Sequence, residues 1–182
     1  GNMNLFAQLN HLEEAEQPIK VAVIGTGKFG SMFLSQIRLT PGMHLLGVAD
    51  LSVERAKKAL LKTGWPRDQI KARSIAKALA EKSTFVTDDA KALISGGGVD
   101  VVVEATGVPD AGVDHALAAF SRGRHVVMVN VEADVLCGPL LAQKAKSAGV
   151  SYSMAYGDQP ALICEQVDWA RACGFQVIGA GK

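Results

Sequence analysis

Residues 21–30 read VAVIGTGKFG, and Gly25, Gly27 and Gly30 are spaced G-x-G-x-x-G. Each glycine of such a turn has its own task. Gly25 lets the chain swing sharply out of the apolar run before it. Gly27 lets the backbone approach a diphosphate with no side chain between. Gly30 lets the following helix pack closely on the strand. A helix opening at Lys28–Gly30 aims free N–H groups and the positive end of its dipole at the phosphates. Thr26, Lys28 and Phe29 complete this turn, so the whole of 25–30 is a candidate cofactor loop. Asp50 lies 20 residues past Gly30, at the end of the next apolar run. A carboxylate there accepts hydrogen bonds from an adenosine ribose and opposes a 2′-phosphate, which favours NAD. Ser52 and Arg55 follow at once. Arg55 could hold a 2′-phosphate if Asp50 turned away, and Ser52 also suits a helix N-cap. The residues leave the choice between NAD and NADP open.

A second group comes from later in the chain. Ala105-Thr106-Gly107-Val108-Pro109 follows the apolar run 99–104, and Gly107 permits close backbone approach to a cofactor. Asn130 is expected at the end of the next strand, where its amide would reach the nicotinamide or the substrate. Glu132 and Asp134 come straight after, either as site carboxylates or as a polar loop capping the sheet. Asp158 precedes Gln159-Pro160 and is read as an acid–base candidate or a helix N-cap. His115 and His125 have no ligand-spaced partner and read as structural. Cys137, Cys164 and Cys173 are odd in number and form no CxxC, which argues against a disulfide framework or a zinc site.

These residues need elements to hold them. Lys20–Ile24, His44–Ala49, Val99–Glu104 and His125–Val129 are apolar runs of strand length, joined by shorter candidates at Phe85-Val86, Val150–Ser153 and Phe175–Ile178. Between them lie helical patterns: Phe29, Met32, Phe33 and Ile37 on one face; Ala56, Ala59 and Leu60 after Ser52; Ser74–Lys82; Asp88–Ile94; Val113, Ala116, Leu117 and Phe120 after Pro109; Pro139–Ala148; and Pro160–Ala172. Leu5, Phe6, Leu9 and Leu12 predict an amphipathic helix within residues 1–18, packed on the domain. Strands that are apolar throughout and alternate with helices predict a doubly wound parallel sheet, the Rossmann fold, over 19–182. The chain stops directly after a strand pattern, so a longer natural polypeptide is expected, with a substrate and oligomerisation domain after 182.

Composition narrows the rest. Of 182 residues, 48% are apolar and 20% charged, with 19 basic and 18 acidic side chains. A net charge of +1 gives no reason to expect a nucleic-acid partner. No apolar run approaches a membrane span, and the N-terminus lacks the pattern of a signal peptide. The expectation is a cytoplasmic protein with a small-molecule substrate.

Residues 20–182 also resemble the NAD(P)-binding part of homoserine dehydrogenase-like oxidoreductases. The stretches that carry this are VAVIGTGKFG, VDVVVEATGVPDAGVDHALAAFSRGRHVVMVN and VEADVLCGPLLAQKAKSAGV. NVEADV at Asn130–Val135 and GDQP at Gly157–Pro160 are similar to a divergent branch of that family, whose members carry a C-terminal SAF domain. Some of that branch resemble a deoxyxylulose-phosphate reductoisomerase that uses NADPH. The resemblance implies hydride transfer between NAD(P) and a small carbonyl or alcohol substrate. It also implies homo-oligomers formed through the region that would follow Lys182, and a cationic role for Lys182 near the substrate. One departure matters: homoserine dehydrogenases place a lysine directly after the asparagine, and here Val131 and Glu132 follow Asn130. The readings carried forward are a homoserine dehydrogenase-like enzyme, a reductoisomerase-like enzyme, and a non-catalytic dinucleotide sensor.

Overall fold

Alternate residues of the first apolar run face opposite ways, and both sides are covered. Val21 and Val23 pack into one buried cluster with Leu34, Ile37, Ala56 and Leu60. Ala22 and Ile24 pack into another with Leu93, Val102, Ala116, Phe120 and Leu141. A strand buried on both faces belongs at the centre of a sheet sandwiched between helices. The structure, a computed structural model, describes residues 4–156 and 159–181. Its six strands are β1 (Ile19–Ile24), β2 (Met43–Ala49), β3 (Phe85–Thr87), β4 (Val101–Glu104), β5 (His125–Met128) and β6 (Tyr152–Met154). All pair in parallel, in the order β3-β2-β1-β4-β5-β6. The predicted doubly wound Rossmann sheet is therefore present, and its order reverses between β1 and β4.

The helices are α1 (Leu5–Glu14), α2 (Lys28–Ile37), α3 (Val53–Lys62), α4 (Ile75–Ala80), α5 (Ala90–Ser95), α6 (Pro109–Ser121), α7 (Val131–Ser147) and α8 (Gln159–Ala172). α2 and α3 cover one face of the sheet, α5, α6 and α7 the other. A register shift at Val21/Ala22 lets Leu46 bulge between the pairs Val21–Leu45 and Ala22–Gly47. Gly47 then lies so close to Leu93 that a Cβ would fall 2.4 Å from its Cδ1. Among the described residues no helix is long and apolar enough to cross a membrane.

Several sequence expectations shift. α7 begins at Val131 and not at Pro139, which sits inside it. Pro139 removes only the bond to the carbonyl of Val135, a residue that is 80% exposed, so the helix runs through it. Asn130 is thus the N-cap of α7, two residues beyond the end of β5. The buried face of α2 is Gly30, Leu34 and Ile37, while Met32 is 55% exposed. The face of α6 is Gly112, Ala116, Ala119 and Phe120, with Leu117 turned outward. α1 forms, but none of its residues is buried, and Leu5 and Phe6 stay exposed. It is held by Glu13, which accepts the Gly42 N–H at 2.8 Å, and by the Lys82–Glu16 ion pair. Phe175–Ile178 is not a strand: nothing pairs with it, and Ile178 is 96% exposed.

The reassigned face of α2 is directly testable. Leu34→Ala should cost about 2–5 kcal/mol in urea unfolding, and Met32→Ala about 0.5 kcal/mol or less.

Candidate functional site

In a doubly wound sheet, ligands sit beyond the carboxyl ends of the strands, at the point where the order reverses. The ends of β1, β2, β4 and β5 meet there. The Gly25 N–H donates to Ala49 O at the end of β2, and the Ala105 N–H to Ile24 O at the end of β1, each at 2.8 Å. The glycine turn and the Ala105–Val108 segment are therefore seated side by side. Their approach leaves no room for side chains. A Cβ on Gly25 would lie 2.7 Å from Ala105 O, on a backbone with φ of +95°. A Cβ on Gly30 would lie 2.3 Å from Gly25 O.

Gly27 differs. It has an ordinary φ of −67°, and nothing lies within 4 Å of where its Cβ would be. The space over the turn is open, and only the missing side chain keeps it so. The start of α2 is bare in a second sense. It has no side-chain cap and no acidic residue in its first turn. Every other helix from α1 to α7 has one or the other: Asn4, Ser52, Ser74, Asp89 and Asn130 act as caps, and Asp110 lies in the first turn of α6. The first turn of α2 thus has no acidic side chain of its own and no cap to offset its positive end. Open space above unpaired amides fits a diphosphate. Lys28 is exposed beside it, and Phe29 is half-buried against the α2–α3 cluster.

Asp50 is placed at the end of β2 as predicted, but not as a free acceptor. Its Oδ2 accepts from the Thr26 N–H (3.0 Å) and hydroxyl. Its Oδ1 accepts from the Ser52 N–H (3.0 Å) and from Nε (2.9 Å) and Nη2 of Arg55. Burial on its own would raise the Asp50 pKa. The hydrogen bonds from Thr26, Ser52 and Arg55 together outweigh it, so the carboxyl is held below its usual value. Its side chain is 2% exposed and that of Arg55 61%, so the charge presented to solvent at this corner is a guanidinium. Ser52 caps α3, accepting the Arg55 N–H at 3.2 Å.

Asn130 is likewise occupied. It is buried, donates from Nδ2 to Val108 O (2.8 Å) and Thr106 Oγ1 (3.3 Å), and accepts the Ala133 N–H on Oδ1 (3.1 Å). The predicted reach of its amide to a ligand is replaced by a brace between two loops. Glu132 is exposed in the first turn of α7, on the rim of a recess of about 480 Å³ with Pro109, Val131, Val135 and Leu136. Asp134 accepts from the Tyr152 hydroxyl at 2.7 Å. Burial, followed by this bond, pushes the Tyr152 phenol far above its usual range. Asp158 and Lys182 lie outside the described residues.

Two groups were missed. Glu104, the last residue of β4, is fully buried, and His115 stands 3.1 Å from it. Glu104 reads in sequence as the end of an apolar strand, and the charge inside that run was the available signal. A recess of about 740 Å³ at the opposite ends of the strands is lined by Glu13, Lys20, Arg38, Lys82 and Asp100 among others. Its charges largely pair with one another or brace α1, as in Lys20–Asp100 at 3.0 Å.

The glycines separate by cause. Gly25→Ala should destabilise the fold by about 1–3 kcal/mol or more through clash and positive φ. Gly27→Ala should leave the melting temperature unchanged. Calorimetric melting of both variants checks this. Asp50, with its pKa depressed on folding, gives stability that is complete well above about 3.8 and is lost as pH falls through its lower folded value. Asp50→Asn should therefore flatten the acid limb of a stability–pH profile.

Comparison with known proteins bears on this geometry. Residues 19–129 match the Gfo/Idh/MocA oxidoreductase family profile, described by its NAD-binding Rossmann fold. Residues 157–182 match the catalytic-domain profile of the oxidoreductase DRL. A 1-deoxy-D-xylulose 5-phosphate reductoisomerase from Bradyrhizobium diazoefficiens is 28% identical over 190 residues, covering 95% of this chain and 42% of that protein. The chain thus spans under half the length of this relative. Among solved structures, the biliverdin reductase of Synechocystis sp. PCC 6803, in complex with biliverdin and NADP+, superposes with a TM-score of 0.61 at 20% identity, over 86% of this chain and 43% of that one. A homoserine dehydrogenase from Thiobacillus denitrificans gives 0.59 at 19% identity, over 75% of this chain and 29% of its own. These two likenesses carry the fold. The family match covers most of the chain, including the glycine turn, Asp50 and the Thr106 loop, and the chain belongs to the Gfo/Idh/MocA oxidoreductase family with its NAD-binding Rossmann fold.

Proposed function

We propose that this chain is the cofactor-holding part of an NADPH-dependent oxidoreductase that acts on a phosphorylated keto sugar, in the manner of a deoxyxylulose-phosphate reductoisomerase. The observation that carries the cofactor choice is the state of Asp50. All its strong acceptor directions are taken by Thr26, Ser52 and Arg55, and the exposed group at the ribose corner is Arg55. A saturated, buried carboxylate has nothing to offer a ribose diol. An exposed guanidinium beside the start of α3 offers paired N–H donors to a 2′-phosphate.

The roles follow from position. Gly25–Gly30 would hold the diphosphate through main-chain amides, with Lys28 adding charge at the rim. Ala105, Thr106 and Gly107 would border the nicotinamide half of the cofactor. When bound, NADPH supplies a hydride to a carbonyl carbon, and the protein supplies orientation and charge. Glu132 lines the recess with Pro109, Val131, Val135 and Leu136 and is a candidate to face a substrate there. Asp158 and Lys182 are further candidates for proton and charge management. The substrate and oligomer-forming part would follow residue 182. The reductoisomerase-like reading is preferred because the sequence relative of that name aligns over 95% of the chain. The absence of a lysine after Asn130 weighs against homoserine as substrate.

Titration calorimetry with NADPH and NADH on this chain tests the proposal. NADPH should bind at least about tenfold more tightly than NADH, since a charge-assisted bond to a phosphate contributes about 1.5–3 kcal/mol. Arg55→Ala should erase that difference while leaving NADH affinity within about twofold. Equal or tighter binding of NADH would overturn the cofactor choice, and no binding of either would overturn the reading.

A further inference from the structure

Glu104 is an unusual residue to find in the centre of a sheet. It ends β4 between Ile24 of β1 and Met128 of β5, and it is fully buried. A buried carboxylate survives only where its oxygens are used. Oε1 is used twice: it accepts the Thr106 hydroxyl at 2.6 Å and faces His115 Nδ1 of α6 at 3.1 Å. Oε2 is buried with no hydrogen-bond partner. A fold that needed only to fill this volume would do better with leucine. The orphaned oxygen marks a cost that something else must offset.

We infer that Glu104, backed by His115, is a positioning residue for the cofactor, acting through the Thr106 hydroxyl. The reasoning is directional. A hydroxyl has one proton, and the carboxylate takes it. The lone pairs of Thr106 Oγ1 are then turned toward its other two neighbours, the Val108 N–H and Asn130 Nδ2, each at 3.3 Å. Asn130 in turn holds Val108 O and caps α7. The Glu104–Thr106 bond thereby sets the direction of the side-chain bonds that Thr106 and Asn130 make to Val108, next to the left-handed turn at Gly107 (φ +70°). The same segment is the wall against which Gly25 is packed. The orientation of Glu104 therefore reaches both loops of the proposed site without touching the ligand. His115 is 12% exposed and meets the same oxygen from the helix side, so both contacts of the carboxyl group fall on Oε1. Without an acceptor at residue 104 nothing fixes the direction of the hydroxyl proton, and the brace is weakened.

This inference rests on the dinucleotide reading, and binding by the unaltered chain keeps the two apart. NADPH affinity is measured by calorimetry for the unaltered chain, Glu104→Leu, Thr106→Val, Thr106→Ser and the Glu104→Leu/Thr106→Val double variant. Loss of one directed bond predicts roughly three- to tenfold weaker binding for Glu104→Leu, which removes the acceptor, and for Thr106→Val. The double variant should be no weaker than the worse single one, because both act along one path. Thr106→Ser, which keeps the hydroxyl, should recover most of what Thr106→Val loses. Amide exchange at residues 105–108 should speed up in each weakened variant. If Glu104→Leu does not fold, His115→Gln combined with Thr106→Val supplies the same cycle. Normal affinity in both single variants, additive losses, or a Thr106→Ser as weak as Thr106→Val would overturn the inference. Failure of the unaltered chain to bind NADPH would instead overturn the proposed function.

Discussion

Three stretches of backbone meet at the carboxyl end of the sheet with no space for side chains between them. The turn at Gly25 lies against the carbonyl of Ala105, and the first turn of α2 lies against the carbonyl of Gly25. This contact decides the rest. It brings the two loops that leave β1 and β4 onto one surface, at the point where the strand order reverses. It also presents the amino end of α2 along that surface. A methyl group at Gly25 would meet the carbonyl of Ala105, and one at Gly30 the carbonyl of Gly25, so the backbone would have to shift at either. The fold tolerates the contact because the loops are tied back to neighbouring strands, by the Gly25 N–H to Ala49 O and the Ala105 N–H to Ile24 O.

Polar side chains at this end work mainly as internal ties. Asp50 joins the glycine turn to the start of α3, and Asn130 joins the Thr106 segment to the start of α7. Both are almost fully buried, and in both the donors and acceptors are matched within the protein. Matching matters more than proximity here. A carboxylate whose oxygens already accept five donors gains little from a sixth, whereas a guanidinium lying over it keeps outward donors. The proposed recognition surface is therefore one of backbone amides and basic side chains, with buried acids and amides behind it. The charge balance of the whole chain says nothing of this, because it is an arrangement and not an excess.

The sheet was readable in the sequence because its strands are apolar throughout and its helices change period sharply. The glycine turn was readable because three glycines at that spacing follow an apolar strand and open a helix, with Asp50 at the end of the next strand. The difficulties lay where one residue type serves two ends. Pro139 reads as a helix start, and it failed as one because its missing bond falls at exposed Val135. Phe175–Ile178 has strand-like residues, but β6 already forms the sheet edge and nothing pairs with them. Asp50 follows the end of β2 and Asn130 caps α7, and both are engaged by groups of the chain itself. Sequence spacing gives the end of a strand, but it does not say which donors the chain itself will bring there. His115 was passed over because its partner is 11 residues away on a strand and not on its own helix.

The glycines also show why one motif must not be given one cause. Gly25 is demanded by conformation and by contact, Gly30 by contact alone, and Gly27 by neither. Folding would accept a side chain at Gly27, since its φ is ordinary and the space beyond is open. A residue that the fold does not require, placed at the one helix start from α1 to α7 with neither cap nor acid, is constrained by something outside the fold. An anion is what such a helix start suits. Amides that lack a protein partner in a region otherwise closely matched hold their geometry ready, so little reorganisation is needed when a diphosphate arrives. The same matching explains why so much of the polar inventory is spent on bracing: a surface of bare amides binds well only if the loops that carry it do not move.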